Sequence, residues 1–559
     1  MNRNTSLVNT IVAALSALPA FEEVEHTLKA GNDASLATPI ILRAAFIATQ
    51  YRVRPRTILV ITESQDQADS MRNALLGYLG AEQVALYPER SDMPWEDKAP
   101  QLAQISQRVR GLHMMATNQP GVIVGSVKAF IRAVPLDHPE FFEPLLLKVG
   151  DEIGLDSCIE RLTLMGYVRG ERVFEEGTFA VRGDILDIHP PLGSQSVRID
   201  FFGDEIEAIK RLAPASGQTL GSLESATIYP IREVMLTPDV AKRGLDALEK
   251  PAFLDQEVAY HRDLLEQGIA FNELASYLSL LVERVGSPAH YLHKDACVEA
   301  VEPRILFDAS MRAFEEYNSQ AIKAGFKNVL GVTQPLQGLF LGPAELDFGS
   351  CGRMTWMSTL NASRADYSIL SRRPDVAGSD VRLVGAMKTY LESGYSVIIS
   401  LPNRRIRERV EQLFAVEAVP VGDKKGCVKL TDQDIVTGFI VPDARLAVIS
   451  QTDAFPRSIK KVTKRQDVDV TKLTFPFKPG DYVVHSTYGI ALLKDITRRE
   501  VDGVERDYLH LEYADGDALY TPIDQIDRVT KYVGPDGSAP KVTRLGGKAW
   551  GRAMDKARK

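Results

Sequence analysis

No two cysteines in this 559-residue chain form a CxxC pair. Cys158, Cys297, Cys351 and Cys427 are scattered, with no histidine cluster nearby. That spacing argues against a zinc ribbon or a disulfide framework and fits a reducing, cytoplasmic compartment. Long hydrophobic runs are also missing. The longest, such as Ile58–Ile61 and Val397–Ile399, are strand-sized, far short of the ~20 apolar residues of a membrane span. An apolar stretch from Leu7 to Leu18 is interrupted by Asn9 and Thr10 and runs on into acidic, helix-like sequence, so a signal peptide is not expected. Nor is there an excess of positive charge: 66 Lys+Arg stand against 74 Asp+Glu, a net charge of −8. A chain that grips DNA alone carries a basic surplus to neutralise phosphates. The balance here favours protein partners, with any nucleic-acid role left to a part not present.

Catalytic signatures are absent as well. A nucleotide-binding phosphate loop needs GxxxxGK[ST] after the first strand, glycines to expose backbone N–H groups and a lysine to reach the outer phosphates. The corresponding stretch, Ala30 to Thr38, has one glycine, no closing lysine, and Asp33, which would repel phosphate. There is no HExxH, no GxSxG, and no GxGxxG following a strand. His189, before Pro190, reads as a strand-end residue and not a base. Asp184 and Asp187 fall three apart on an expected strand and so point to opposite faces, which suits no shared metal. Glu89, Asp92 and Glu96 read as a solvated acidic loop. The expectation is a chain without catalytic residues, cofactor or metal.

What is present is a succession of folded pieces, about three to five at the usual ~100–200 residues each. Residues 56–62, 84–87 and 121–126 read as strands, with a helix over 66–78, so residues 1–150 predict a parallel α/β sheet. From 151 the period changes. Gly177–His189 and Val197–Phe202 nearly alternate apolar and polar, as in an antiparallel sheet with one wet face. Helices and short strands return over 240–350. A second α/β unit follows at 377–452, with helices over 383–393 and 403–414 around a strand at 395–400. Arg457 to Lys472 is polar and basic, the best linker candidate. Residues 475–534 carry turn signals at Pro479-Gly480, Asp502-Gly503 and Asp515-Gly516; that spacing fits a small barrel. The basic tail from Lys541 is helical in character, stops without a capping residue and reads as a cut helix. The fold class expected is multidomain α/β with a small C-terminal all-β barrel, as a monomer.

Two segments carry recognition. In the first, Arg182, Arg198 and Phe202 lie on adjacent strand segments, with Glu205 and Glu207 just beyond. An exposed aromatic flanked by arginines is the composition of a protein-binding hot spot. The same pattern also allows Phe202 in the core and the arginines in routine surface pairs, and sequence leaves both open. In the second, Lys494, Arg498 and Arg499 crowd one strand with few apolar neighbours. Such a strand is a guarded sheet edge, or an edge that accepts a partner's strand.

The run G-x-F-A-V-R-G-D-I-L-D-I followed by V-R-I-D-F-F-G-D-E-I-E resembles the UvrA-binding domain shared by UvrB and the transcription-repair coupling factors. The resemblance implies that Arg182, Arg198 and Phe202 contact UvrA. Residues 87–96, YPERSDMPWE, resemble the family's opening domain, which is UvrB-like with a decayed phosphate loop. The missing GK[ST] agrees with the coupling factors and departs from UvrB. Residues 475–534, with GDYVVH-x3-GI, DYLHLEY and LYTPIDQIDRVTKYVG, are similar to the family's CarD-like, Tudor-type RNA polymerase-interaction domain. That implies contact between the polymerase β subunit and the edge Ile496, Thr497, Arg498, Arg499 and Val501, with Tyr520 and Thr521 nearby. The tail resembles the entry to the family's relay helix, which leads to an ATP- and Mg-dependent DNA translocase motor that does not appear here. The implied organisation is a UvrB-like domain (1–150), a UvrA-binding domain (151–235), completion of the UvrB-like module (236–350), a divergent α/β domain (351–456), a linker (457–474), the polymerase-binding domain (475–534) and the helix start (541–559). The rival expectations are a UvrB-like damage-recognition ATPase and a stand-alone CarD-like transcription regulator.

Overall fold

The computed structural model describes residues 3–96, 100–171, 173, 175–192, 195–213, 217–248, 256–326, 334–346, 348, 353–359, 365–376, 379–455, 479–485, 489–501, 504–522 and 529–531. They fall into two compact units, 1–457 and 458–559. The linker and relay-helix readings lie outside the described residues.

The first unit is built on a seven-stranded sheet. Its order is Tyr367–Ser368, Ala34–Ala37, Arg353–Ser358, Cys297–Val301, Thr57–Thr62, Gly121–Ser126, Val84–Tyr87, and every described pairing is parallel. The central strands Thr57–Thr62 and Gly121–Ser126 are buried throughout, because crossover helices cover both faces of a parallel sheet. Alternation sorts their side chains: Leu59, Ile61 and Ile123 join one core, Ile58, Val60, Val122 and Val124 the other. The helix Gln65–Leu79 starts where the Ser64 hydroxyl accepts from the Gln67 amide and ends at Gly80, φ 85°, a left-handed position glycine adopts without strain. One boundary moves. The strand Arg353–Ser358 inserts between Ala34–Ala37 and Cys297–Val301, so the parent module continues past residue 350. RMTWMS lacks the β-branched run that marks a buried strand, which is why sequence placed it in the following domain.

Between residues 168 and 223 the chain forms a six-stranded sheet, in order Thr219–Leu223, Glu205–Leu212, Ser196–Phe202, Ile185–His189, Thr178–Arg182, Val168–Arg169. Val197, Ile199 and Phe201 point into the core, as do Ile206 and Ile209. The three-residue step from Ile206 to Ile209 reflects a register slip opposite Asp200 and Phe201 that leaves Glu207 unpaired.

A four-stranded sheet closes the first unit, in order Val428–Thr431, Ser396–Ser400, Leu446–Ile449, Phe439–Val441, with only the last antiparallel to its neighbour. Ser379 caps the helix Asp380–Glu392 and Asn403 caps Arg404–Val416. Ile398 and Val448 face the parent module's core, while Val397 and Ile399 form a core with these helices. The contact is close at Gly77, where a Cβ would lie 2.3 Å from the Asp434 carbonyl oxygen. Glycine to alanine within a helix ordinarily stabilises by about 1 kcal/mol. Here Gly77→Ala is expected to reverse that sign and cost ~1–3 kcal/mol through overpacking, read as a lower urea midpoint.

The second unit is a five-stranded sheet, in order Ala518–Pro522, Val504–Glu512, Gly489–Val501, Tyr482–His485, Val529–Lys531, with antiparallel pairings. Val501 pairs with Val504, as the Asp502-Gly503 hairpin signal requires. Its small core holds Val483, Ala491, Leu493, Leu509, Leu511 and Tyr513. No described pairing joins the two outer strands, so barrel closure is not among the described features.

Candidate docking surfaces

A parallel sheet invites a ligand beyond the carboxyl ends of its strands. Four of the nine residues that stand where a phosphate loop would, Ala30 to Thr38, form the strand Ala34–Ala37, and only Thr38 and Pro39 separate it from the helix Ile40–Val53. Beside this turn the buried Arg43 reaches Glu302 at 2.5 Å and the Thr359 hydroxyl at 2.8 Å. Glu302 also accepts from the Thr359 amide at 2.9 Å. Burial opposes ionisation of Glu302, but Thr359 and Arg43 together hold its pKa below the ordinary carboxylate range. An ion pair therefore occupies the strand ends. Among the described residues no group of three His, Cys, Asp or Glu could hold a metal, and no helix is long and apolar enough to cross a membrane.

The acidic loop reading is corrected in detail. Glu89 accepts from the Ser126 hydroxyl at 2.6 Å, and Asp92 pairs with Arg90; only Glu96 is exposed. Asp184 sits in the tight turn after Arg182, where Gly183 takes φ 58°, and not on a strand. His189 ends its strand, buried.

On the wet face of the six-stranded sheet, Arg182 and Arg198 do not occupy neighbouring strands. The strand Ile185–His189 lies between them. Its Asp187, 1% exposed, binds both. Arg198 donates from Nε to Oδ1 at 2.7 Å and from Nη2 to Oδ2 at 2.8 Å, and Arg182 donates to Oδ2 at 2.8 Å. These hydrogen bonds hold Arg198 still more firmly protonated, against a smaller opposing effect of burial. One carboxylate thus fixes two guanidiniums in place; a fork–fork geometry adds orientation as well as energy. Sequence singled out the two arginines and missed Asp187, the residue that organises them; its position between two arginine-bearing strands was the available signal.

Phe202 is 77% exposed, whereas its neighbour Phe201 is 5% exposed. Of the two readings left open, the structure selects the exposed one. Phe202 pairs with Glu205 across the turn at Gly203, φ 62°, so the ring stands at a hairpin tip. Lys210 and Asp200 form an ion pair on the adjoining strands. The face therefore carries an aromatic tip, two clamped arginines and a mixed rim.

In the second unit, Tyr482–His485 covers only Gly489–Leu492 of the long strand Gly489–Val501. Beyond that, its pairing among the described residues is with Val504–Glu512 alone, so Ile496–Val501 forms an edge. The backbone of Ile496, Arg498, Arg499 and Val501 is described, but their side chains lie outside the described residues. Thr497 is half-buried. Lys494 pairs with Glu512 at 2.7 Å. Tyr520 stacks on His510, with ring centroids 4.7 Å apart, and Thr521, 3% exposed, faces inward.

Two family models fit these regions. Residues 145–233 match the UvrB interaction domain and residues 477–533 the CarD-like/TRCF RID domain. The chain matches the N-terminal half of the transcription-repair-coupling factors. It is 26% identical to that of Bacillus subtilis over 92% of this chain and 46% of the relative, and 28% identical to that of Mycobacterium bovis over 100% and 48%. The Staphylococcus haemolyticus factor is 26% identical over 92% and 46%. The chain thus spans about half the length of the curated relatives it matches.

Proposed function

We propose that this chain is the adaptor part of a transcription-repair coupling factor, holding RNA polymerase with one unit and presenting a UvrA docking face with the other. The observation that carries the reading is the pairing of a UvrB interaction domain and a CarD-like domain on one chain, the first with Phe202 and Arg182 exposed and Arg198 half-buried on one face, both arginines clamped by Asp187. Arg182, Arg198 and Phe202 are assigned to UvrA. The edge Ile496, Thr497, Arg498, Arg499 and Val501 is assigned to the polymerase β subunit, meeting it by strand addition with main-chain hydrogen bonds. Tyr520 lies near this contact, and Thr521 supports it from inside. The five strands are taken to close as a small Tudor-like barrel. The domain divisions given above are retained, with the UvrB-like module extended to include Arg353–Ser358 and Tyr367–Ser368. Nucleotide turnover and DNA translocation are assigned to the motor of the full-length relatives and not to this chain; the Arg43–Glu302 pair beside the Thr38–Pro39 turn supports that division.

The test is a pull-down of the chain with a purified β-subunit fragment. Arg499→Glu is expected to weaken capture by more than the ~1 kcal/mol of a rim charge, roughly fivefold or more in Kd. Undiminished capture would remove the edge assignment.

A further inference from the structure

Where the six-stranded sheet meets the parent module and the helical layer after it, the protein forms a cleft of about 430 Å³, open to solvent on one side, within the ~300–1,000 Å³ typical of small-molecule sites. Its apolar wall includes Leu102, Ile105, Ile231, Phe271 and Leu274, contributed by all three parts. Its polar wall includes three arginines, Arg90, Arg132 and Arg232.

Arg132 is anomalous among them. It is 6% exposed, forms no ion pair among the described residues, and its Nη1 is buried without a hydrogen-bond partner. The ring of Phe340 lies 4.8 Å from its guanidinium carbon, which offsets only part of the lost hydration. The carboxylates closest in influence, Asp92 and Glu233, are already engaged by Arg90, and Glu233 also by Arg108. Burial, and then the like charge of Arg90, bring the Arg132 pKa down to about 9, with Asp92 and Glu233 opposing and Arg108 adding to the fall. Glu175 and Glu176 on the cavity wall are solvent-exposed and make no described bond to it. A buried cation left unpaired costs several kcal/mol, and an orphaned buried donor calls for an explanation.

We propose that this cavity binds a small organic oxyanion, a phosphate monoester or carboxylate, whose charged head pairs with Arg132 and whose apolar body packs on Leu102, Ile105, Ile231 and Phe271. The site is separate from both docking surfaces. Its ligand would touch the inserted sheet, the parent module and the helical layer together.

Calorimetry and thermal unfolding of the whole chain, with phenyl phosphate, benzoate and inorganic phosphate as probes, test this. Phenyl phosphate or benzoate should bind and raise Tm, and inorganic phosphate, lacking an apolar body, should do so less; the stronger of the two organic probes identifies the head group. Arg132→Met is expected to bind the better probe on the order of thirtyfold more weakly. It should unfold no earlier than the parent, since it removes a charge with no partner. Arg232→Met, on the same wall, should weaken binding severalfold and reads the site independently if Arg132→Met fails to fold. Absence of binding by both organic probes, equal binding by Arg132→Met, or a destabilised Arg132→Met together with unchanged binding by Arg232→Met would overturn the proposal.

Discussion

Replacing Glu233 by alanine is expected to cost about 3–5 kcal/mol of stability, because it strands the buried Arg108 without a counter-charge and leaves the buried Arg90 with Asp92 alone. Glu233 accepts from Arg108 Nε at 2.5 Å and from Arg90 Nη1 at 2.8 Å, with all three side chains buried. Arg108 has further partners: the carbonyls of Pro88 and Ala129, at 3.0 and 2.9 Å, and the Tyr87 hydroxyl at 2.7 Å. Its guanidinium also lies over the Tyr87 ring, 4.2 Å from the centroid. Removing the carboxylate leaves these contacts but not the compensating charge. Urea unfolding should show a lowered midpoint, and a loss under 1 kcal/mol would mean the arginines find other partners.

The same carboxylate predicts a pH dependence. Burial alone would raise its pKa, but Arg108 and Arg90 overcome that and bring it from 4.5 to about 2. The unfolded chain therefore takes up the proton first as pH falls. Stability from Glu233 is complete above about pH 5 and is lost between there and about pH 2. The alanine variant should lack this part of the acid-unfolding curve, and parallel curves for variant and parent would count against the shift.

Glu233 also marks the limit of what the sequence made legible. The strands at 56–62, 84–87 and 121–126 and the helices at 66–78, 383–393 and 403–414 were readable because apolar period and caps are local signals. The hairpin at Asp502-Gly503 was readable for the same reason. Glu233 is 125 residues from Arg108 and 143 from Arg90; nothing local pairs them. Arg353–Ser358 was misassigned because its place in the sheet comes from strands more than fifty residues away. At the docking face, residue types announced Arg182, Arg198 and Phe202. Which of Phe201 and Phe202 faces water depended on register, since a slip of one residue exchanges the two faces.

That register makes Phe202→Ala the sharpest test of the UvrA assignment. A ring that is 77% exposed contributes little to folding, so the variant should unfold at the parent's temperature, within the ~0.5 kcal/mol of ordinary surface substitutions. Against purified UvrA, loss of a central aromatic anchor should cost about 2 kcal/mol or more, roughly thirtyfold in Kd at 1.4 kcal/mol per decade. Asp187→Ala should weaken the same complex by another route. It removes no exposed contact surface of its own, being 1% exposed, but it frees the guanidiniums of Arg182 and Arg198 that it now orders. Ordering those side chains on binding then costs roughly 0.5–1.5 kcal/mol each. If Phe202→Ala binds UvrA as the parent does while Asp187→Ala does not, the docking face centres on the arginine clamp and the hairpin tip lies outside it. If neither variant is weakened, UvrA docks elsewhere or not at all.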